Sequence, residues 1–130
     1  MKNSFKKIVL LCLLMTSSIS YAKWILLDHT ADGDDVYFES NSVKKNGELV
    51  DMIFLGEFKQ ARQLIDTDVN SSKWYAEFNC RNKTSRILSR SFYNKKMGEG
   101  KAVSTDDKTE QPQPIITGTL FDSILMTVCN

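Results

Sequence analysis

The sequence predicts an α+β fold: a mainly antiparallel β-sheet with one C-terminal α-helix packed on it and tied to it by a disulfide. Three observations carry this. Lys73 to Tyr93 reads as two strands around a polar turn, with Trp74, Ala76, Phe78 and Cys80 on one face by two-residue alternation and Tyr75, Glu77, Asn79 and Arg81 on the other. Thr119 to Val128 carries apolar residues at helical spacing. Cys80 and Cys129 are the two cysteines that survive removal of an export signal, and an even count in an exported domain argues for a bond between them.

The export signal is Met1 to Ala22. Lys2, Lys6 and Lys7 form a basic head, Ile8 to Met15 an apolar core of about eight residues, and Ser20 and Ala22 the small residues before a cleavage site. That core is far short of the ~20 residues a membrane-spanning helix needs, and no other run is longer, so no transmembrane segment is expected. Cys12 leaves with the signal, because Leu11 before it is not the small residue that a lipid-anchor site requires. Cleavage at Ala22 leaves Lys23 to Asn130 as a single domain of roughly 108 residues, enough for one modest core. The formal charge of +1 for the whole chain loses three lysines with the signal and becomes about −2. A near-neutral exported chain, periplasmic or on the cell surface, excludes nucleic acid as its partner.

Trp24 to Leu27 is the first strand, and Asp32-Gly33-Asp34-Asp35 is turn chemistry. No downstream glutamate completes an EF-hand there. Val36 to Glu39 is the second strand. Ser40 to Ser42 favours a turn or one helical turn, and Asn46-Gly47 signals a hairpin. Leu49 to Phe58 is the longest strand, with Val50, Met52, Phe54 and Phe58 on one face and Gly56 at a bulge or close approach. Lys59 to Ser72 is polar and reads as a loop. After the Lys73–Tyr93 strand pair, Lys95 to Gly100 is a turn, Lys101 to Val103 resumes a strand, and Ser104 to Pro114 is a charged surface loop. In the terminal helix Leu120, Phe121, Ile124, Leu125 and Val128 form one stripe, with Thr119 as N-cap and Asp122 three residues on.

No residue pattern points to catalysis. His29 is the lone histidine, without a partner histidine or a G-x-S-x-G elbow, and Gly98-Glu99-Gly100 is too short for a phosphate loop. The reading is therefore a non-enzymatic protein without cofactor or metal. Charge is distributed unevenly: Asp28 to Asp51 is acidic, and Lys73 to Lys101 basic. Either the two zones neutralise each other as neighbours in the sheet, or Lys83, Arg86, Arg90, Lys95 and Lys96 form a cationic partner-binding patch. Strand alternation puts Arg86 and Arg90 on one face with Leu88 and Phe92. That face is open, covered by the terminal helix, or buried in a homodimer.

Further features fall in a recognisable order: Trp24 after the signal, Phe38-Glu39-Ser40 before a turn, and Tyr75-Ala76-Glu77-Phe78-Asn79-Cys80 leading to Ser89–Tyr93. Met97-Gly98-Glu99-Gly100 and a terminal Cys129 follow. The mature chain thereby resembles the surface-adhesin protein E family of Gram-negative bacteria. The resemblance implies an antiparallel sheet with a disulfide-tied C-terminal helix, and binding of host vitronectin, laminin or plasminogen. The alternative is a periplasmic inhibitor of a cationic host enzyme such as lysozyme, which the acidic Asp28–Glu39 stretch would suit.

Overall fold

Two long strands organise the sheet. The computed structural model describes residues 23–130; the signal peptide expected over 1–22 lies outside them. The strands are β1 (Trp24–His29), β2 (Asp35–Glu39), β3 (Lys44–Asn46), β4 (Leu49–Leu64), β5 (Thr67–Asn79), β6 (Thr84–Tyr93), β7 (Ala102–Asp106) and β8 (Gln113–Pro114). The helix is α1 (Leu120–Val128), and 3-10 turns occupy Ser40–Ser42 and Lys96–Gly98. The sheet runs β1-β2-β4-β5-β6-β7, with β3 beside β4 and β8 beside β6, and every pairing is antiparallel.

Alternation in β4 and β5 produces the core. Val50, Met52 and Phe54 pair with Phe78, Ala76 and Trp74, and this face, with Val36 and Ile87, is buried beneath α1. The helix contributes Ile124, Leu125 and Val128, with Leu120 and Phe121 at its margin. Phe121 meets Phe54 and Phe78 edge-on at 5.9 and 6.0 Å, and Phe54 stacks on Trp74. Thr119 caps the helix as expected, its hydroxyl accepting from the Asp122 amide at 3.3 Å, while the Asp122 carboxylate accepts from the Gly118 amide. Nine residues are too few for an independent helix in water, so docking holds it. The Cys80–Cys129 disulfide joins the end of β5 to the end of α1.

Three expectations need correction. Lys59 to Ser72 is not a loop: β4 and β5 continue through it and meet at a two-residue turn, Ile65-Asp66. Of the two readings of Gly56 the close approach holds, since it pairs in register with Val36 and Ser72 and the break follows Glu57. A Cβ there would stand 3.0 Å from the Ser72 hydroxyl. The stretch from Ser104 to Pro114 is strand at both ends rather than all loop. The third concerns β6. Tyr75 pairs with Ser89 but Ala76 with Ile87, leaving Leu88 as a bulge. A bulge reverses the alternation beyond it. Arg86 therefore lies opposite Glu77, whereas Arg90 lies opposite Trp74 on the helix side, and the two arginines do not share a face.

Candidate protein-binding face

The side of the sheet away from α1 is covered at one end only. There the Lys96–Gly98 turn lies over Leu55, Ser71 and Lys73. The Ser71 hydroxyl donates to the Lys95 carbonyl at 2.6 Å and accepts from the Gly98 amide at 2.8 Å. Buried Glu57 accepts from the Met97 amide at 2.6 Å. Gly98 has φ +65, a conformation that favours glycine, and a Cβ on it would come within 2.3 Å of the Lys73 side chain, which would have to shift.

The rest of this side is open. Ile53, Tyr75 and Ser89 are cross-strand neighbours on three adjacent strands and form a floor. Glu39, Asn41, Ser42 and Lys44 complete the lining of a cleft of about 450 Å³. Ser42 fixes that wall: its hydroxyl donates to the Glu39 carbonyl at 2.6 Å and accepts from the Ile53 amide at 2.9 Å. One register step along runs a charged row, Asp51, Glu77 and Arg86. The Arg86 guanidinium donates twice to Glu77, at 2.9 and 3.2 Å, a fork geometry that orients both groups. The Tyr75 hydroxyl donates to Asp51 Oδ2 at 3.2 Å, and Asp51 Oδ1 is buried without a partner among the described residues.

The electrostatics follow from these neighbours. The hydrogen bond and charge of Glu77 raise the Arg86 pKa, so this arginine stays charged. Burial first, then the Asp51 carboxylate, raises the Tyr75 pKa above 10.0. Tyr37 is raised likewise, by burial and by Asp35 and Glu57. A tyrosine that holds its proton more tightly when folded contributes stability in full below about pH 10; the contribution is lost as pH rises through the folded pKa. Stability should therefore fall with pH above about 10, and Tyr75→Phe should flatten part of that fall in alkaline unfolding titrations. An unchanged slope would mean that Tyr75 titrates as in the unfolded chain.

The five basic residues singled out from sequence do not converge. Lys83 is exposed in the β5–β6 turn, which Asn79 organises by accepting from the Arg81 and Asn82 amides. Arg86 lies on the open face. Arg90 lies 4.6 Å over the Trp74 ring and is paired with Glu110. Lys95 and Lys96 belong to the covering turn, and Lys96 reaches Glu57 at 3.7 Å. Neutralisation of the acidic zone by the basic one is real in places, as Arg81–Glu48 shows at 3.1 Å. Accordingly Arg86→Glu, which sets a third acid beside Glu77 and Asp51, should lower Tm measurably. Lys83→Glu should change stability by no more than about 0.5 kcal/mol. Thermal melts of the two variants decide this, and equal losses would contradict it.

The floor residues Ile53, Tyr75 and Ser89 were missed as a site. Alternation already puts Tyr75 opposite Trp74, but nothing local says that its face is uncovered. Among the described residues no group of three or more His, Cys, Asp or Glu side chains is placed to hold a metal, and no helix is long and apolar enough to cross a membrane.

Comparison with known proteins bears on this geometry. The sequence matches the family model of surface-adhesin protein E over residues 24–130. Two crystal structures of Haemophilus influenzae protein E superpose with TM-score 0.68 at 15% identity; each covers 89% of this chain, and 94% and 90% of the respective protein E chain is covered in turn. Protein E from non-typeable Haemophilus influenzae superposes with TM-score 0.65, over 89% of this chain and 81% of that one, again at 15% identity. No curated protein sequence matches. The structural likeness at this identity establishes a shared fold, and the sequence match over nearly the whole described chain establishes that it belongs to the surface-adhesin protein E family.

Proposed function

We propose that this chain is an exported, non-enzymatic envelope protein that binds a host extracellular-matrix or serum protein through the open face of its sheet. Vitronectin, laminin and plasminogen are the candidate partners. Family membership supports the adhesin-like class. The observation that carries the choice of face is the uncovered cleft of about 450 Å³ over Ile53, Tyr75 and Ser89, beside the oriented Arg86–Glu77 pair. An aromatic and an aliphatic group beside a fixed arginine is the composition of a binding hot spot. Of the five basic residues, Arg86 belongs to this face; Lys83, Lys95 and Lys96 would act only at its periphery, and Arg90 lies on the other side of the sheet.

The lysozyme-inhibitor alternative draws little support from the acidic stretch. Asp34 is buried and engaged by Arg62 and the Lys59 amide, and Asp35 pairs with His29 at 2.5 Å. The test is solid-phase binding of the purified domain to vitronectin, laminin and plasminogen, with lysozyme activity assayed in parallel. Ser89→Glu should weaken the host-protein interaction by roughly tenfold, while Met126→Glu on the exposed side of α1 leaves it unchanged. The reverse pattern would move the contact to the helix. Inhibition of lysozyme without matrix binding would replace the reading altogether.

A further inference from the structure

A second feature stands apart from the open face. The last pairs that β4 and β5 make with their outer neighbours are Glu57 with Asp35 and Ser71 with Tyr93. Beyond these the two strands pair only with each other, from Arg62–Val69 to Leu64–Thr67, and project as a two-stranded arm. The base of the arm is pinned. Buried Asp34 accepts from the Lys59 amide at 2.9 Å and pairs with Arg62. The Arg62 guanidinium lies 4.2 Å over the Phe58 ring, and Val69 is buried. Along the arm Gln63 donates to Asp68 at 2.5 Å.

The tip runs against the fold twice. Ile65 and Asp66 both have positive φ, 48 and 59, as the two central residues of a type I′ turn do. That conformation suits Asn or Gly and strains a β-branched side chain. Ile65 is also 86% exposed, so it contacts little of its own protein. A residue that strains the backbone and leaves its apolar side chain in water contributes nothing evident to the fold, and such outliers cluster at functional sites.

We propose that Ile65 is an apolar anchor which the arm presents, already ordered, to an apolar pocket on a protein partner. The charge around it sets the rim of that pocket. Asp66 and Asp68 flank the tip, and the nearest base, Arg62, is committed to Asp34. The complementary rim is basic, and an anionic lipid surface is disfavoured for the same reason. Because the base is held by Asp34, Phe58 and Val69, little order has to be gained on binding.

The test compares wild type, Ile65→Asn and Ile65→Val, with Ser89→Glu alongside; the choice of vitronectin, laminin and plasminogen as probes rests on the proposed function above. Ile65→Asn relieves the turn and should raise Tm by a few degrees while weakening binding roughly tenfold, and Ile65→Val should retain binding. Unchanged binding by Ile65→Asn where Ser89→Glu abolishes it overturns the anchor and leaves the open face standing. A lower Tm for Ile65→Asn also overturns it, because the isoleucine would then serve the fold. If wild type binds none of the three proteins, the proposed function fails separately. The tip is then judged by Tm and by sedimentation with phosphatidylglycerol vesicles: a raised Tm without vesicle binding supports a protein contact, and Ile65-dependent vesicle binding replaces it with a lipid one.

Discussion

Cys129→Ser should lower stability by about 2–5 kcal/mol. The bond joins residues 49 apart in sequence, a loop whose closure is worth roughly 4 kcal/mol in the chain-entropy view. The loss should also be local in its first effect. Helix α1 has nine residues and a single cap, so without the tether it depends on five apolar side chains docked on the sheet. Urea unfolding would give the size of the change. Hydrogen exchange would give its place, with the α1 amides losing protection before those of β4 and β5. A melting temperature unaffected by reductant would show that packing alone holds the helix.

Phe78→Ala should cost about 3–5 kcal/mol. Its side chain is fully buried, pairs across the strands with Val50 and meets Phe121 edge-on at 6.0 Å, two residues before Cys80. Truncation leaves a void bounded by a β-sheet on one side and a disulfide-tied helix on the other, neither of which can collapse far into it. Chemical denaturation measures this directly. A cost under about 1 kcal/mol would mean that α1 moves to close the gap.

These two residues belong to the part of the fold that was legible in the sequence. Strand alternation in Trp74–Cys80, helical spacing in Leu120–Val128, the Thr119 cap and the pair of cysteines each act within a short stretch or through covalent chemistry. The unread parts have a different character. The arm over residues 62–69 is solvent-exposed along most of its length, so burial imposes no apolar alternation on it, and its turn carries Ile65-Asp66 instead of Asn or Gly. The bulge at Leu88 is a matter of register between strands, and four residues from Arg86 to Arg90 imply a shared face only in a regular strand. Arg90 finds Glu110 across twenty residues of sequence, a partner that no local pattern reveals.

The candidate site divides along the same line. Tyr75 could be assigned to the face opposite Trp74 from alternation alone. That the face is open at Tyr75 and closed at Ser71 depends on where the Lys96–Gly98 turn docks. The sequence marks that turn by its glycines, but the contacts that seat it are with Glu57 and Ser71, far back in the chain. The basic residues misled for a related reason: a count of charges in a segment ignores which of them the fold has already paired.

In the proposed function the open sheet face, and not the helix side, meets the partner. Oxidative footprinting tests it most directly, because each side carries its own reactive side chain: Tyr75 in the cleft and Met126, 57% exposed, on α1. The domain would be labelled by hydroxyl radicals alone and with whichever of vitronectin, laminin or plasminogen it binds, and peptides quantified by mass spectrometry. Protection of Tyr75 with Met126 labelled as before is the result expected. Protection of Met126 with Tyr75 unchanged would put the contact on the helix and overturn the proposal.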